Sequence, residues 1–369
     1  VSDEIAVRQQ SANSFGDILR ITSFGESHGK GLGIVLEGMR PGIPFTEADV
    51  QEQLNRRRPG QSKMVTQRKE PDEVTILSGV FEGKTTGAPI AMVIYNVDQR
   101  SHNYDDIKDA FRPGHGDFTF YKKYGTRDYR GGGRQSSRET AGRVAAGAVP
   151  LRVLKERGVR VVAHALEVAG IRAETCDLDI IESNPVRCAD PVAAEKMGAA
   201  ILAARSDTDS VGGIIQLEIH GLPPGLGDPI FGKLEARLCT AIMTIGAIKG
   251  VEVGDGFAIT RLRGSEANDQ MKDGAFLSNH HGGILGGIST GAPVIMRVAV
   301  KPTASIAKEQ ETDDEHGKHR TIRVLGRHDP CIVPRAVPVI EAMAALVLVD
   351  AWMVQERVNP DWAAQHPLC

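Results

Sequence analysis

The chain has 369 residues, 41 % of them hydrophobic, and a formal net charge of -3 at pH 7. That length supports one large core or two ordinary ones, and the near-neutral balance gives no reason to expect nucleic acid or a charged membrane as a partner. Five scattered cysteines (Cys176, Cys188, Cys239, Cys331, Cys369) form no C-x-x-C pair, which fits a reduced, cytoplasmic protein better than a disulfide scaffold or a zinc site.

In chain order, Val1–Ala12 is polar and unpatterned and reads as a loose tail before a single domain over 13–369. Short β-branched runs bounded by Gly, Pro or Asp predict strands over Asp17–Phe24, Gly33–Met39, Glu73–Val80 and Pro89–Val97. A helix is predicted over Thr46–Arg58, with a Thr cap and Asp49 three residues on. A second, over Glu139–Arg157, has Ser136 and Glu139 spaced as a capping box and Pro150 as a kink. Further strands are expected at Val159–Gly170, Gly213–Gly221, Gly256–Leu262, Pro293–Val300 and Arg320–Leu325. Helices are expected at Asp190–Arg205, with Pro191 first, at Phe231–Ile248 and at Val337–Arg357. The apolar stretch Ala336–Val354 carries Glu341 and Asp350 and reads as a buried helix, not a membrane span. Ala307–Lys318 is charged and reads as a mobile surface loop. Strands come in groups with helices between the groups, which favours an α+β layered fold with largely antiparallel sheets.

Cations are unevenly spread. Arg56, Arg57, Arg58, Lys63, Arg68 and Lys69 meet no acid until Glu70, and Arg112 to Arg143 adds Arg127, Arg130, Arg134 and Arg138. Such clusters in a mildly acidic protein suggest a small polyanion as ligand, with solvated surface charge as the competing reading. Arg130-Gly-Gly-Gly-Arg-Gln-Ser-Ser-Arg138 runs into a predicted helix, whose N-terminus offers free N–H groups to phosphate. Neither a Walker loop nor a dinucleotide fingerprint is present. Gly25-Glu-Ser-His-Gly29 matches G-x-S-x-G, but the segment after it is a poor helix start, so the hydrolase elbow fails on its second half. A serine hydrolase built on Ser27 and a non-catalytic polyanion-binding protein remain as rival classes.

His28 and His115, each beside glycine and near the arginines, are candidates for proton transfer to bound anions. No spacing suggests a metal site, and His280, His281, His316 and His319 read as structural. Gly326-Arg-His-Asp-Pro330 pairs an anion contact with a possible general base, and Lys301-Pro-Thr-Ala-Ser305 ends a strand.

With Ser23-Phe-Gly-Glu-Ser-His-Gly29, Arg56-Arg-Arg-Pro-Gly60, Arg112-Pro-Gly-His115, Asp128-Tyr-Arg-Gly-Gly-Gly-Arg134, Gly282-Gly-Ile-Leu-Gly-Gly287 and Gly326-Arg-His-Asp-Pro-Cys331, the chain from Phe15 to Trp352 closely resembles the chorismate synthase family. The resemblance implies helices sandwiched between antiparallel sheets, a homotetramer, and conversion of 5-enolpyruvylshikimate 3-phosphate to chorismate with reduced FMN and no net redox change. It leaves open whether NADPH serves as reductant. It implies His28, His115 and Asp329 as catalytic residues and Arg57, Arg58, Lys63, Arg112, Arg138 and Arg327 as substrate contacts. FMN would touch Arg134, Gln135, Ser136, Ala247, Gly286, Lys301, Thr303, Ser305 and Arg327. Four positions depart from the family's usual pattern: Gln135-Ser136-Ser137 replaces Ser-Ser-Ala, Gly246 an Asn, Gly116 an Ala, and Lys63 an Arg.

Overall fold

The structure, a computed structural model, describes residues 12–66, 68, 70–98, 101–326 and 328–369, with the backbone alone at 101–103. The expected tail, apart from Ala12, lies outside the described residues.

Two five-stranded antiparallel sheets flank the packed helices Thr140–Glu156 and Val333–Val358. The first has the order Ser14–Phe15, Arg20–Gly25, Gly31–Glu37, Ile90–Tyr95, Val74–Ile76. Its alternation turns Leu32, Ile34, Leu36, Ile90, Met92 and Ile94 inward. The second runs Ile248–Val253, Val294–Val300, Gly213–His220, Arg160–Val168, Ile171–Arg172. It buries Ile215, Leu217, Ile219, Val294, Met296 and Val298. The fold class is therefore α+β.

The helices are α1 (Glu47–Arg57), α2 (Asp117–Tyr124), α3 (Thr140–Glu156), α4 (Pro191–Ser206), α5 (Leu234–Met243), α6 (Gly264–Ala267), α7 (Val333–Val358) and α8 (Pro360–Gln365). The α1 start follows the expected cap, Asp49 Oδ2 accepting from Thr46 N at 2.7 Å. In α4, Asp190 Oδ1 accepts from Val192 N and Ala193 N at 2.9 and 3.0 Å. The α3 helix continues past Pro150 to Glu156. The α5 helix is shorter than expected because the chain turns at Gly246 and Ala247, the latter at φ 72°, before the next strand. The α7 helix starts four residues early, since Pro334 sits in the first turn, where its missing N–H costs nothing.

The α3 helix packs on the first sheet, α7 on the second, and the two helices pack on each other. The α7 helix is long and apolar enough to cross a membrane, yet it is almost wholly buried inside the fold. Two of its carboxylates, Glu341 and Asp350, tie the layers together. Glu341 accepts from Arg56 at 2.6 Å and from Ala163 N at 2.8 Å. Asp350 accepts from the backbone of Asp17, Ile18 and Leu19 and from Arg237.

Two expectations are corrected. Gly256–Leu262 is not a strand but a short 3₁₀ helix over Gly256–Arg261, its apolar Phe257 left exposed. Ala307–Lys318 is not all loop: Gln310–Asp313 pairs with His319–Ile322 in an antiparallel hairpin. Its exposed edge carries polar residues on both faces, so no alternation marks it.

The α3–α7 crossing closes at Gly147, where a Cβ would lie 2.4 Å from Ala342 Cβ and 2.7 Å from its Cα. Gly142, one face away, would meet only ordinary contacts from 3.5 Å. Gly147→Ala is therefore expected to destabilise by about 1–3 kcal/mol through overpacking. Gly142→Ala should be neutral or gain up to about 1 kcal/mol from helix propensity. Urea denaturation of both variants checks the contrast.

Candidate active site

A cavity of about 1360 Å³ opens between the Gly-rich segment after Tyr129, the segment after the strand Val294–Val300, and the start of α7. Ligand pockets usually hold roughly 300–1000 Å³, so this one has room for two stacked ligands. Among the described residues, Arg68, Arg112, Arg127, Arg130, Arg134, Arg138, Arg143, Lys301 and Arg335 line it, against the carboxylates of Glu26, Glu70, Asp128, Glu139 and Asp329.

Most of these cations are held from behind. Asp72, with no exposure, binds both Arg138 and Arg57, the latter at 3.1 Å. Asp117 accepts from Arg112 Nε at 2.7 Å and Nη2 at 2.9 Å, and from His115 Nδ1 at 3.0 Å. His115 Nδ1 also lies 3.2 Å from Arg112 Nη2; with its proton given to Asp117, Nε2 is left as the free acceptor. Asp329 accepts from Thr66 N at 2.8 Å and from Arg335 Nη1 at 2.7 Å. Arg134 also reaches the first sheet, bonding Gly25 O at 3.1 Å and Ser23 Oγ at 2.6 Å.

The three consecutive glycines have a steric reason. Gly131, Gly132 and Gly133 take φ of 64°, 90° and 53°. A Cβ on Gly131 would lie 2.1 Å from His28 Cε1, and one on Gly132 would lie 2.7 Å from His115 Cε1. The loop thus lies against both imidazoles at adjacent residues. His28 is also bonded through Nδ1 to Ser27 Oγ at 3.0 Å and packed edge-on against Tyr104.

Burial and then Arg68, with Arg130 and Arg112, push His28 down to about 4 against the pull of Asp128. Burial, Arg68 and Arg112 do the same to His328, also to about 4. His115 is lowered by burial, with Asp117 opposing. Among the described residues, six buried polar atoms at this site have no hydrogen-bond partner: His28 Nε2, Arg127 Nε, Gln135 Oε1, Arg138 Nη2, Thr303 Oγ1 and His328 Nε2. Unsatisfied buried groups are rare in folded proteins, and their clustering here marks a place built for a polar ligand.

The chorismate synthase family model matches residues 19–353. Chorismate synthases of Chloroflexus aggregans and Methanosarcina mazei are each 52% identical, over 95% of this chain and 98% of theirs. That of Lachnospira eligens is 53% identical, over 91% and 93%. A solved structure described as a crystal structure of chorismate synthase aligns with a TM-score of 0.75 at 30% identity, covering 95% of this chain and 99% of that one.

The chain belongs to the chorismate synthase family.

Of the residues that the family resemblance nominated, His115, Asp329, Arg112, Arg138, Arg134, Gln135, Ser136, Ala247, Lys301, Thr303 and Ser305 all line the cavity. His28 lies against its Gly131 wall. Arg57 does not reach it: fully buried, its donors go to Asp72, Thr140 Oγ1 and Ser137 O. Arg58 and Lys63 are exposed and outside the wall, and Gly286 sits in a hairpin turn elsewhere. Arg327 falls outside the described residues. The hydrolase elbow is absent, because Ser27 is buried in a turn between two paired strands.

Sequence reasoning missed Asp72, Asp117, His328 and Arg335. Asp117 stands two residues after His115 and was open to notice; Asp72 and Arg335 meet their partners only through the fold.

Two measurements follow. Unfolded imidazoles take a proton near pH 6.5, whereas folded His28 and His328 do so only near 4. Unfolding therefore takes up protons in that window, and the stability of the free protein should decline as pH falls through it. Thermal melts from pH 7.5 to about 4 read this, and inorganic phosphate should offset the loss. Separately, Asp117→Asn leaves buried Arg112 uncompensated and is expected to cost about 3–5 kcal/mol in denaturation.

Proposed function

We propose that this chain eliminates phosphate from 5-enolpyruvylshikimate 3-phosphate in an anti-1,4 sense to give chorismate, a lyase reaction run with reduced FMN. The observation that carries the reading is the arginine-rich cavity, large enough for two ligands, with its six unpartnered buried polar atoms. A substrate with one phosphate and two carboxylates matches guanidinium groups fixed in orientation by buried carboxylates.

The donor set also suits a flavin phosphate and ring. Arg134, Gln135, Ser136, Ala247, Lys301, Thr303 and Ser305 would hold it, with Thr303 Oγ1 and Gln135 Oε1 still free to bond. When bound, reduced FMN lends electron density that helps the allylic phosphate leave.

The side chains then divide the proton work. In the free protein burial, and then the surrounding cations, keep His28 neutral. A bound phosphate cancels that field and adds negative charge, which raises the imidazole's basicity by about 1–3 pH units. His28 then carries a proton at Nε2 when the leaving oxygen needs one. His115, oriented through Nδ1 by Asp117, presents Nε2 toward the second ligand. Asp329, held by Thr66 N and Arg335, is the carboxylate available to take up the proton lost from the ring. The reading extends to a cytoplasmic homotetramer, which light scattering on the purified protein tests, and NADPH as the source of reduction is assayed separately.

Chorismate should form anaerobically only when FMN is present and chemically reduced. His28→Ala should lose about 10²–10⁴-fold in turnover while keeping its FMN affinity. Equal turnover with flavin omitted, or a His28→Ala protein that no longer binds FMN, overturns the assignment.

A further inference from the structure

A second cluster of chemically capable side chains lies on the outer face of the second sheet, and none of its members lines the arginine-rich cavity. His164 and Gln216 are direct cross-strand partners, and Glu218 and His220 follow at two-residue steps on the same face. Cys176 comes from the segment beyond Ile171–Arg172. That segment is pinned close by: Asp190 Oδ2 accepts from Glu174 N at 2.9 Å and Thr175 N at 3.1 Å, and Asp177 N donates to Ala189 O at 2.8 Å. The thiol is thus held by its neighbours on both sides.

His164 Nε2 lies 3.3 Å from Glu218 Oε1, and Cys176 Sγ lies 4.0 Å from each of them. His220 Nε2 meets the other oxygen of Glu218 at 2.9 Å, and Gln216 Nε2 donates to Oε1 at 2.8 Å. We propose that His164, Cys176 and Glu218 form a binding site for a divalent cation of the zinc class, with the fourth position open to His220 or water.

Zinc bonds to nitrogen, oxygen and sulfur of ~2.0–2.3 Å imply tetrahedral ligand separations of ~3.3–3.6 Å. The imidazole–carboxylate separation already has that value, and the thiol needs to move inward by only a few tenths of an ångström. Hydrogen bonding to Glu218 accounts for His220, the Gln216 amide and Nε2 of His164, but His164 Nδ1 is buried without a partner and the thiol is not accounted for. At 4.0 Å from both partners, Cys176 makes at best a marginal bond, yet Asp190 fixes its loop there. A thiolate, an imidazole and a carboxylate together select a borderline-soft ion over magnesium or calcium. The ion would fasten the segment covering this face to the sheet beneath, a structural role separate from the cavity.

The test uses the full chain, stripped with chelator and titrated with cobalt(II) alone, then with zinc in competition. Wild type should bind one cobalt per chain with a thiolate-to-metal charge-transfer band and the visible bands of a tetrahedral site. Zinc should displace it and raise the melting temperature. Cys176→Ser, at an exposed residue, should fold and retain phosphate binding in the cavity. It should lose the charge-transfer band and more zinc affinity than the ~10–100-fold typical of removing an outer-shell partner. Glu218→Gln should also weaken binding while leaving the sulfur band in place at saturating cobalt. A wild-type protein without the sulfur band, or equal zinc affinity in wild type and Cys176→Ser, overturns the proposal.

Discussion

The concentration of positive charge around one cavity is the constraint on which the rest of the site depends. Guanidinium groups facing each other across a partly dry space repel, and each loses hydration that must be replaced. The fold answers with carboxylates set behind the arginines. Asp72 holds Arg57 and Arg138, Asp117 holds Arg112, Asp329 holds Arg335, and Asp128 holds Arg130. These anions neutralise part of the charge and also fix which way each fork points. The cavity keeps more cations than anions in its wall, and that remainder is what an anionic ligand would meet.

The same field governs the histidines. Burial, and then the neighbouring arginines, lower both imidazoles, so an anion that cancelled the arginine field would link its binding to proton uptake. The glycine loop lies beside them: a side chain at Gly131 or Gly132 would displace an imidazole ring, and the left-handed backbone there admits glycine most readily.

Much of this was legible from residue order. The Thr46 and Asp190 caps, the inward alternation of the main strands and the buried reading of α7 rest on local rules that tertiary packing left intact. The site was legible mainly through its motifs. Arginine clusters announce an anion but do not say which members face it. Arg57 looks like a ligand contact in sequence, and only the fold reveals that Asp72, fifteen positions on, captures it inside. Gly256–Leu262 misled because a run of apolar and β-branched residues carries no record of what will cover it. The His164, Cys176 and Glu218 cluster was invisible for the opposite reason, since its members share no short spacing and meet only through one strand pairing and a loop pinned by Asp190.

Gly116 and Gln135 meet in the wall of the cavity, although nineteen positions separate them in sequence. A methyl group on Gly116 would lie 2.3 Å from Gln135 Oε1 and 3.0 Å from its Cδ, so an alanine there would require the amide to move. Gln135 Oε1 is buried without a partner. An amide oxygen with an open lone pair is costly in an empty wall and useful against a ligand that donates a hydrogen bond.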